Sequence, residues 1–301
     1  MLEAVPNLSE GRDATALEAI GAAFESGGAA VLDVHADVDH HRSVFTLAGE
    51  DGALVDALLA GIAEAVARID LRSHDGIHPR VGAADVVPVV PLVPGDMERA
   101  VVAARACARR IGAELGVPVF LYAEVGGGRP PAFFRRGGLG ELARRVAEGE
   151  LSPDAGPSDV SPRSGAVLVG ARRPLVAYNL VLGTDDVAVA KDVAASVRES
   201  SGGMPGVQAL GLYLPRAERV QVSMNVLDLE RAPLHEVVER VRAEAAVRDV
   251  DVVGGELVGL VPERVLAAAS TAGVELPGVD ETRVLERAVG SRLGWWPGRS
   301  S

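Results

Sequence analysis

Apolar side chains recur every three to four residues in several long segments, which is the spacing of an amphipathic helix. In one segment Leu54, Leu58, Ile62 and Val66 follow one another at intervals of four residues. Together with capping residues and prolines at some segment starts, this spacing predicts helices over residues 14–26, 51–69, 96–115, 185–200 and 233–248, and further helices near Pro262 and Pro277.

Shorter runs rich in Val, Leu and Ile lie between these segments and end at Gly, Pro or polar clusters, which is typical of strands. Two of these runs flank a polar turn, His35–Arg42, and indicate an antiparallel hairpin, so fully parallel sheets are not expected. The runs predict strands over residues 3–8, 29–33, 43–48, 85–90, 117–123, 166–171, 175–182, 207–214, 219–227 and 250–260.

The order of elements restarts after residue 174, and a chain of 301 residues is long enough for two domains. We therefore predict an α/β (α+β) protein with two subdomains, residues 1–174 and residues 175–301. Each subdomain is expected to be a mixed or antiparallel sheet layered with helices on one face.

Charge and composition narrow the possible partners. The net charge of −12 argues against nucleic acid, because duplex binding requires clustered Lys and Arg to neutralise phosphates. No apolar run is long enough to span a membrane, and the first residues lack the pattern of a signal peptide. Cys107 is the only cysteine, so no internal disulfide can form. A cytoplasmic location is expected.

The segment His74–Pro91, which reads HDGIHPRVGAADVVPVVP, concentrates candidate chemistry. Pro79 restricts the backbone of His78 to an extended conformation, so this imidazole is expected on a stiff loop before a buried strand. A histidine suits proton transfer near neutral pH. The alternative is an ordinary surface histidine that only forms hydrogen bonds.

Two histidine clusters raise the question of a metal site: His35 to His41 with two aspartates, and His74 with Asp75 and His78. Two histidines four residues apart bind zinc when they share a helix face, but Gly76 and Pro79 disfavour a helix there. The first cluster reads most simply as a solvated hairpin turn. We predict no metal.

A third candidate is the Pro-, Gly- and Ser-rich segment over residues 151–165. It suits either a linker or a ligand loop, because its glycines free backbone N–H groups to point at a bound molecule. From the residues alone, two classes remain open. One is a transferase or lyase with His78 as acid and base, and the other is a binding module that holds an anion with Arg42, Arg80 and the glycine loop.

Seven blocks in order along the chain make it resemble the glutamate formimidoyltransferase (formiminotransferase) family. The pattern is specific because so many blocks keep their order and spacing. The blocks are VPNLSEGR (5–12), DVDHHRSVFTLAG (37–49), HDGIHPRVGAADVVPVVP (74–91), LGVPVFLYAE (115–124), PDAGPS with SGAVLVGAR (153–172), VSMNVLDLE (222–230) and GGELVGLVP (254–262).

The resemblance implies a formiminotransferase fold, commonly dimeric, that uses tetrahydrofolate as co-substrate in histidine breakdown. It also implies the monofunctional form, without a cyclodeaminase domain. The family's catalytic acid/base histidine corresponds to His78. The folate-binding segment corresponds to Gly156, Pro157, Ser158, Asp159, Val160, Ser161, Pro162, Arg163, Ser164 and Gly165.

The expected reaction transfers the formimino group of N-formimidoyl-L-glutamate to tetrahydrofolate. The two carboxylates of glutamate require cations, for which Arg42 and Arg80 are the nearest candidates. Formiminoglycine is an alternative donor. The alternative functions are ATP-dependent cyclisation of 5-formyltetrahydrofolate and a non-catalytic folate- or anion-binding homologue.

The chain departs from the family pattern at four positions. His41 stands where the pattern has Asn, and Val160, Ser161 and Ser164 replace positions that often carry an aromatic residue or His. A pterin ring would lack a stacking partner at these loop positions.

Overall fold

The computed structural model describes residues 1–295, which form two compact units divided between Arg173 and Pro174. Within these residues, no helix is both long and apolar enough to cross a membrane. Each unit combines one sheet with helices, so the predicted class of two mixed or antiparallel sheets layered with helices is confirmed.

The first unit contains a mixed sheet. Its strands are β1 (Leu2–Ala4), β2 (Asn7–Leu8), β3 (Ala30–Asp37), β4 (Arg42–Gly49), β5 (Ala84–Pro91), β6 (Val119–Ala123) and β7 (Val167–Ala171). Both β1 and β2 pair antiparallel with β4 on one side and β5 on the other, so they are two halves of one strand position. Strand β3 pairs antiparallel with β4, whereas β7 pairs in parallel with β5 and β6.

Five helices accompany this sheet. They are α1 (Ala14–Ser26), α2 (Asp51–Arg68), α3 (Met97–Arg110), α4 (Pro131–Arg135) and α5 (Gly138–Ala147). Asp13 caps α1 by accepting a hydrogen bond from the N–H of Ala16 at 3.1 Å. The predicted helix over residues 96–115 divides into α3 and a π-helical turn, Ile111–Leu115.

Apolar side chains pack on both faces of the first sheet, so the expectation of helices on one face is wrong for this unit. Successive residues of a strand point to opposite faces. Val167 and Val169 join the larger core with α1, α2 and α3, whereas Leu168 joins a second cluster with α4 and α5. Cys107 of α3 is 1% exposed within the larger core, and burial raises the pKa of its thiol to about 12.

The second unit contains an antiparallel sheet with strand order β11-β8-β10-β9. Alternate residues of β8, Val176, Tyr178, Leu180 and Leu182, are buried against α6, α7 and α8. The elements are β8 (Val176–Leu182), α6 (Val187–Val197), β9 (Val207–Leu214), β10 (Arg219–Val226), α7 (Leu234–Ala246), β11 (Val252–Val258), α8 (Glu263–Ala272) and α9 (Leu285–Leu293).

Two local predictions require correction. The sequence predicts no helix between residues 115 and 185, but α4 begins at Pro131 and α5 follows directly after Gly137. No helix begins near Pro277, because the chain continues through a 3-10 turn, Glu281–Arg283, to α9.

Candidate active site

The loop that precedes β5, residues 74–83, holds His78 between two other segments of the first unit. The N–H of Ile77 donates to the carbonyl of Asp39 at 3.2 Å, in the turn between β3 and β4. The N–H of Ala83 donates to the carbonyl of Ser164 at 2.8 Å, in the glycine-containing segment. The structure therefore brings three of the blocks that the sequence singled out to one place.

His78 is partly buried and its ring is fixed by its own loop. Its Nδ1 lies 2.7 Å from the carbonyl oxygen of Pro79. A carbonyl only accepts hydrogen bonds, so Nδ1 carries the hydrogen and Nε2 of the neutral ring keeps its lone pair. Burial, followed by the charges of Arg42 and Arg135, lowers the pKa of His78 well below 6.5. His78 is therefore a neutral proton acceptor at neutral pH.

A buried carboxylate joins the two arginines that act on His78. Asp85 of β5 is fully buried. Its Oδ1 accepts from the N–H of Val81 at 2.8 Å, and its Oδ2 accepts from Nη1 of Arg42 at 2.8 Å and from Nη2 of Arg135. Burial raises the pKa of Asp85, but Arg135 and Arg42 outweigh it and hold that pKa well below its usual value. One carboxylate thus serves two guanidinium groups, which leaves an excess of positive charge.

Arg42 lies inside this cluster. Its Nε and Nη2 donate to Oδ1 of Asn7 at 3.2 and 2.8 Å. Burial lowers the pKa of Arg42 to about 10, in spite of the opposing effect of Asp85, so the group stays charged at neutral pH. The described hydrogen bonds of Arg42 go to protein groups, and its effect on a ligand is that of a nearby positive charge.

Arg80 organises the His78 loop. Its Nη1 donates to the carbonyl oxygens of Gly76 at 2.8 Å and His78 at 3.1 Å, and its Nη2 donates to that of His74 at 2.7 Å. The side chain also lines a pocket of about 350 Å³, together with His78 and with Gly138 and Leu139 at the start of α5. Arg80 therefore combines a structural role with access to this pocket.

Asp39 and His40, in the turn between β3 and β4, are buried rather than solvated, contrary to the sequence interpretation. Asp39 is 5% exposed and His40 is 7% exposed. Nδ1 of His40 lies 2.9 Å from Oδ2 of Asp37, and the ring of His40 lies 6.0 Å from that of His78, centroid to centroid. The turn thus places a second imidazole beside the first.

His74 holds this turn against the His78 loop. Its Nε2 lies 2.8 Å from the carbonyl of His41 and therefore donates, while its Nδ1 accepts from the N–H of Gly76 at 3.1 Å. Its ring stacks on that of His41 at a centroid distance of 4.1 Å. Burial, together with the neighbouring charges of Arg80, His41 and Arg12, lowers the pKa of His74 to about 4, although the hydrogen bond to His41 opposes this shift.

His41 is one of the four departures from the family pattern, and its backbone explains the residue expected there. Its φ of +47° lies in the left-handed region, which Asn adopts more readily than most residues. The histidine in this chain adds a side-chain contact, since its Nε2 lies 3.1 Å from Oε1 of Glu10.

The segment Gly156–Gly165 crosses from the end of α3 to the His78 loop. At its start, a Cβ on Gly112 would lie 2.4 Å from the backbone N of Gly156, so the two backbones pass closely. Residues 156–159 are exposed, whereas Val160 is buried in the second core cluster. At the other end the carbonyl of Arg163 accepts from the N–H of Leu71 at 2.9 Å.

The second half of this segment is anchored through Arg163. Its Nη2 and Nη1 donate to the carbonyl oxygens of Ala67 and Val66 at the end of α2, at 2.6 and 3.3 Å. The N–H of Gly165 donates to the carbonyl of Ser161 at 2.8 Å. The exposed part of the segment is therefore residues 156–159, with an anchored stretch on its C-terminal side.

Among residues 1–295, no group of three or more His, Cys, Asp and Glu side chains is arranged to hold a metal ion. Both histidine clusters are instead linked to each other and to backbone groups, as described for His40, His41 and His74. Sequence reasoning missed Asp85 and Arg135 as members of the site. Their pairing is invisible in sequence because 50 positions separate them.

Comparison with known proteins places both units in one family. Residues 1–172 match the N-terminal subdomain of the formiminotransferase domain, and residues 177–289 match the formiminotransferase domain.

Individual relatives extend this similarity over nearly the whole chain. A glutamate formimidoyltransferase of Thermoplasma acidophilum is 41% identical, over 95% of this chain and 96% of that protein. One of Streptococcus pyogenes is 36% identical, over 88% of this chain and 90% of that protein. A formimidoyltransferase-cyclodeaminase of Rattus norvegicus is 38% identical, over 98% of this chain but only 56% of that longer protein.

Proposed function

The chain belongs to the formiminotransferase domain family, and we propose on this basis that it is a glutamate formimidoyltransferase of histidine breakdown. It transfers the formimino group of N-formimidoyl-L-glutamate to tetrahydrofolate, giving 5-formimidoyltetrahydrofolate and L-glutamate. The observation that carries the proposal is the similarity, over most of the length of both units, to two proteins that bear this name.

His78 is the proposed acid and base. The nitrogen at position 5 of tetrahydrofolate attacks the formimino carbon and forms a tetrahedral adduct. The attacking nitrogen then loses a proton, while the departing nitrogen of glutamate must gain one. Nε2 of His78 takes the first proton and returns it to the leaving nitrogen, so one C–N bond forms, another breaks and no proton is consumed.

The environment of His78 supports both steps. The hydrogen bond from Nδ1 to the carbonyl of Pro79 leaves Nε2 as the basic atom. Once protonated, the ring faces the repulsion of Arg42 and Arg135, which makes the imidazolium ready to give its proton back. Much of the remaining acceleration comes from alignment of the two substrates.

We assign binding roles on the same basis. Tetrahydrofolate is the co-substrate, and Gly156–Gly165 is its proposed binding segment, with the exposed residues 156–159 as the accessible part. Arg80 lines the pocket beside His78 and is proposed to bind a donor carboxylate. Arg42 is proposed to attract the donor through its buried charge.

We further propose that the protein is a cytoplasmic homodimer with its subdomain boundary at residues 174–175. The division of the chain between Arg173 and Pro174 supports this boundary. The dimer is tested by light scattering, which should give a mass about twice the 31.1 kDa of the chain. A mass of one chain would refute the dimer and leave the reaction untouched.

The reaction is tested by following 5-formimidoyltetrahydrofolate spectrophotometrically in purified protein supplied with tetrahydrofolate and formiminoglutamate. We expect turnover in the wild type and a loss of about 10²- to 10⁴-fold in kcat for His78→Ala. His235→Ala, in the second unit, is the matched control and should keep the wild-type rate.

Other outcomes identify the alternatives. Turnover only with formiminoglycine would change the donor, and ATP-dependent turnover of 5-formyltetrahydrofolate would change the reaction. Folate binding without turnover, unaffected by His78→Ala, would indicate a binding protein.

The pH profile tests the state of His78. The ring must be neutral to accept a proton, so kcat/KM falls as pH falls through its pKa. Because that pKa lies well below 6.5, the rate at pH 6 should stay close to that at pH 7. An acid limb centred at or above pH 6.5 would contradict this assignment.

A further inference from the structure

Arg135 differs from the other two arginines of the site in how its donors are used. Arg42 donates to Asn7 and Asp85, and Arg80 donates to three backbone carbonyls. Arg135 donates from Nη2 to Asp85, but its Nε is buried and, within the described part of the chain, has no hydrogen-bond partner. A guanidinium group has five N–H donors, so most of the binding capacity of Arg135 is unused.

An unpaired buried donor is unfavourable, so a bound group that accepts its hydrogen bond would be stabilising at this position. The charge balance leads to the same expectation. Asp85 is fully buried between two guanidinium groups, and one carboxylate balances only one of them. An anionic ligand group beside Arg135 would satisfy the donor and balance the second charge.

The position of Arg135 in the chain puts its side chain close in sequence to the pocket of the proposed chemistry. It is the last residue of α4, three residues before Gly138, which lines the pocket that also contains His78 and Arg80. Asp85, which accepts from Nη2 of Arg135, also accepts from the N–H of Val81, three residues after His78 in the same loop. Asp85, which accepts from both Arg135 and Arg42, fixes the orientation of the guanidinium group.

We propose that Arg135 binds one of the two carboxylates of the formimino donor and thereby selects dicarboxylate donors over monocarboxylate ones. Asp85 is the positioning residue that holds Arg135 in place, and Arg42 in turn donates to Asp85. Arg80, on the pocket wall, is left for the other carboxylate. This inference rests on the proposed function and deepens it, because it assigns the donor as a derivative of glutamate rather than of glycine.

The test compares two neighbouring substitutions with two donors. Arg135→Gln removes the guanidinium group, and Arg136→Gln is the matched control, because Arg136 is exposed and adjacent in sequence. For Arg135→Gln we expect KM for formiminoglutamate to rise about 10- to 100-fold, the usual effect of losing hydrogen bonds to a charged group. The KM for tetrahydrofolate should change little, and the preference over formiminoglycine should fall by the same factor. Arg136→Gln should match the wild type in every respect.

Several results would overturn the inference. One is a KM for formiminoglutamate that is unchanged in Arg135→Gln. Another is an equal rise in the KM of formiminoglutamate and formiminoglycine, because general damage to the site would raise both. Absence of wild-type turnover with formiminoglutamate would instead refute the proposed function, so the two failures are distinguishable.

Two further measurements guard against misfolding of Arg135→Gln. Arg135→Lys keeps a cation beside Asp85 but loses the planar two-donor geometry, so it should fold while still showing raised KM for formiminoglutamate. In the unmodified protein, phenylglyoxal labelling mapped by mass spectrometry should be slowed at Arg135, and not at Arg136, by L-glutamate. Equal labelling of Arg135 with and without L-glutamate would refute the proposal without any variant.

Discussion

The two units bury different kinds of side chain. Both have apolar cores between a sheet and its helices. Within residues 1–295, however, the buried charged side chains all belong to the first unit, and the buried polar side chains of the second are the neutral Asn179 and Gln221. The buried polar or charged residues of the first unit are Glu3, Ser9, Asp39, His40, Arg42, Ser43, Thr46, Asp85 and Arg145.

This difference separates side chains that are buried for stability from side chains that are buried for the proposed chemistry. Removing a charge from water is unfavourable, and a well-packed apolar group would often be at least as stable in its place. The second unit follows the simpler rule, with Tyr178 fully buried and its hydroxyl donating to the carbonyl of Pro277 at 2.6 Å. The first unit keeps Asp85 and Arg42 buried near His78, where their charges set the properties of the proposed base.

The largest effect that would test this comparison is expected from Asp85→Asn. The substitution keeps the side-chain shape but leaves the buried Arg42 and the partly buried Arg135 without a counter-charge, which should lower the free energy of unfolding by roughly 3–5 kcal/mol. Urea unfolding measures it. Asn179→Ala in the second unit should cost only about 1 kcal/mol. Equal losses in the two variants would remove the distinction between the units.

The next largest effect is a dependence of stability on pH that originates in the first unit. The pKa of His74 is about 4 in the folded protein against an ordinary 6.5. Between these values the unfolded chain binds a proton that the folded protein does not, so the free energy of unfolding falls as pH falls from 6.5 toward 4. For His74 alone the loss is at most about 3 kcal/mol, and His78 acts in the same direction.

Urea midpoints at pH 7, 6 and 5 measure this dependence. His74→Asn should be less stable than the wild type at pH 7 but should lose less stability on acidification. His235→Asn, in the second unit, should keep the wild-type slope. A wild-type midpoint that does not change between pH 7 and pH 5 would contradict the assignment of a neutral, clamped His74.

The smallest effect is expected in the second unit. Tyr178→Phe removes the hydrogen bond to Pro277 and should lower the free energy of unfolding by about 1 kcal/mol, measured by thermal or urea unfolding. The kcat with formiminoglutamate should stay at the wild-type value. A large loss of kcat without unfolding would mean that the second unit contributes more to the chemistry than its buried side chains indicate.

Sequence reasoning was most successful where one local pattern decides the structure. The spacing of Leu54, Leu58 and Ile62 predicted α2, and the DVVPVV run predicted β5. It failed for α5, since the first turn of this helix contains Gly138 and Gly140, and Gly137 and Gly138 have positive φ. In a sequence, glycines of this kind predict a loop.

Only part of the candidate site could be predicted from the sequence. His78 stood out because of the proline that follows it, but its assignment to a reaction came from the resemblance of whole blocks. The contacts around Asp85 depend on partners 43 and 50 positions away, which only the order of strands in the sheet brings together. The burial of His40 was not predicted for the same reason. A polar turn is expected to be solvated unless another loop is known to cover it.

The single thiol of the chain gives the first unit a natural chemical reporter. Thiol reagents attack the thiolate, and Cys107, 1% exposed with a pKa of about 12, presents almost none while α3 stays packed. Its alkylation therefore requires the larger core to open. The rate of alkylation, followed by mass, measures the frequency of that opening in the unmodified protein, and a substrate that binds the closed form would slow it in proportion to its occupancy.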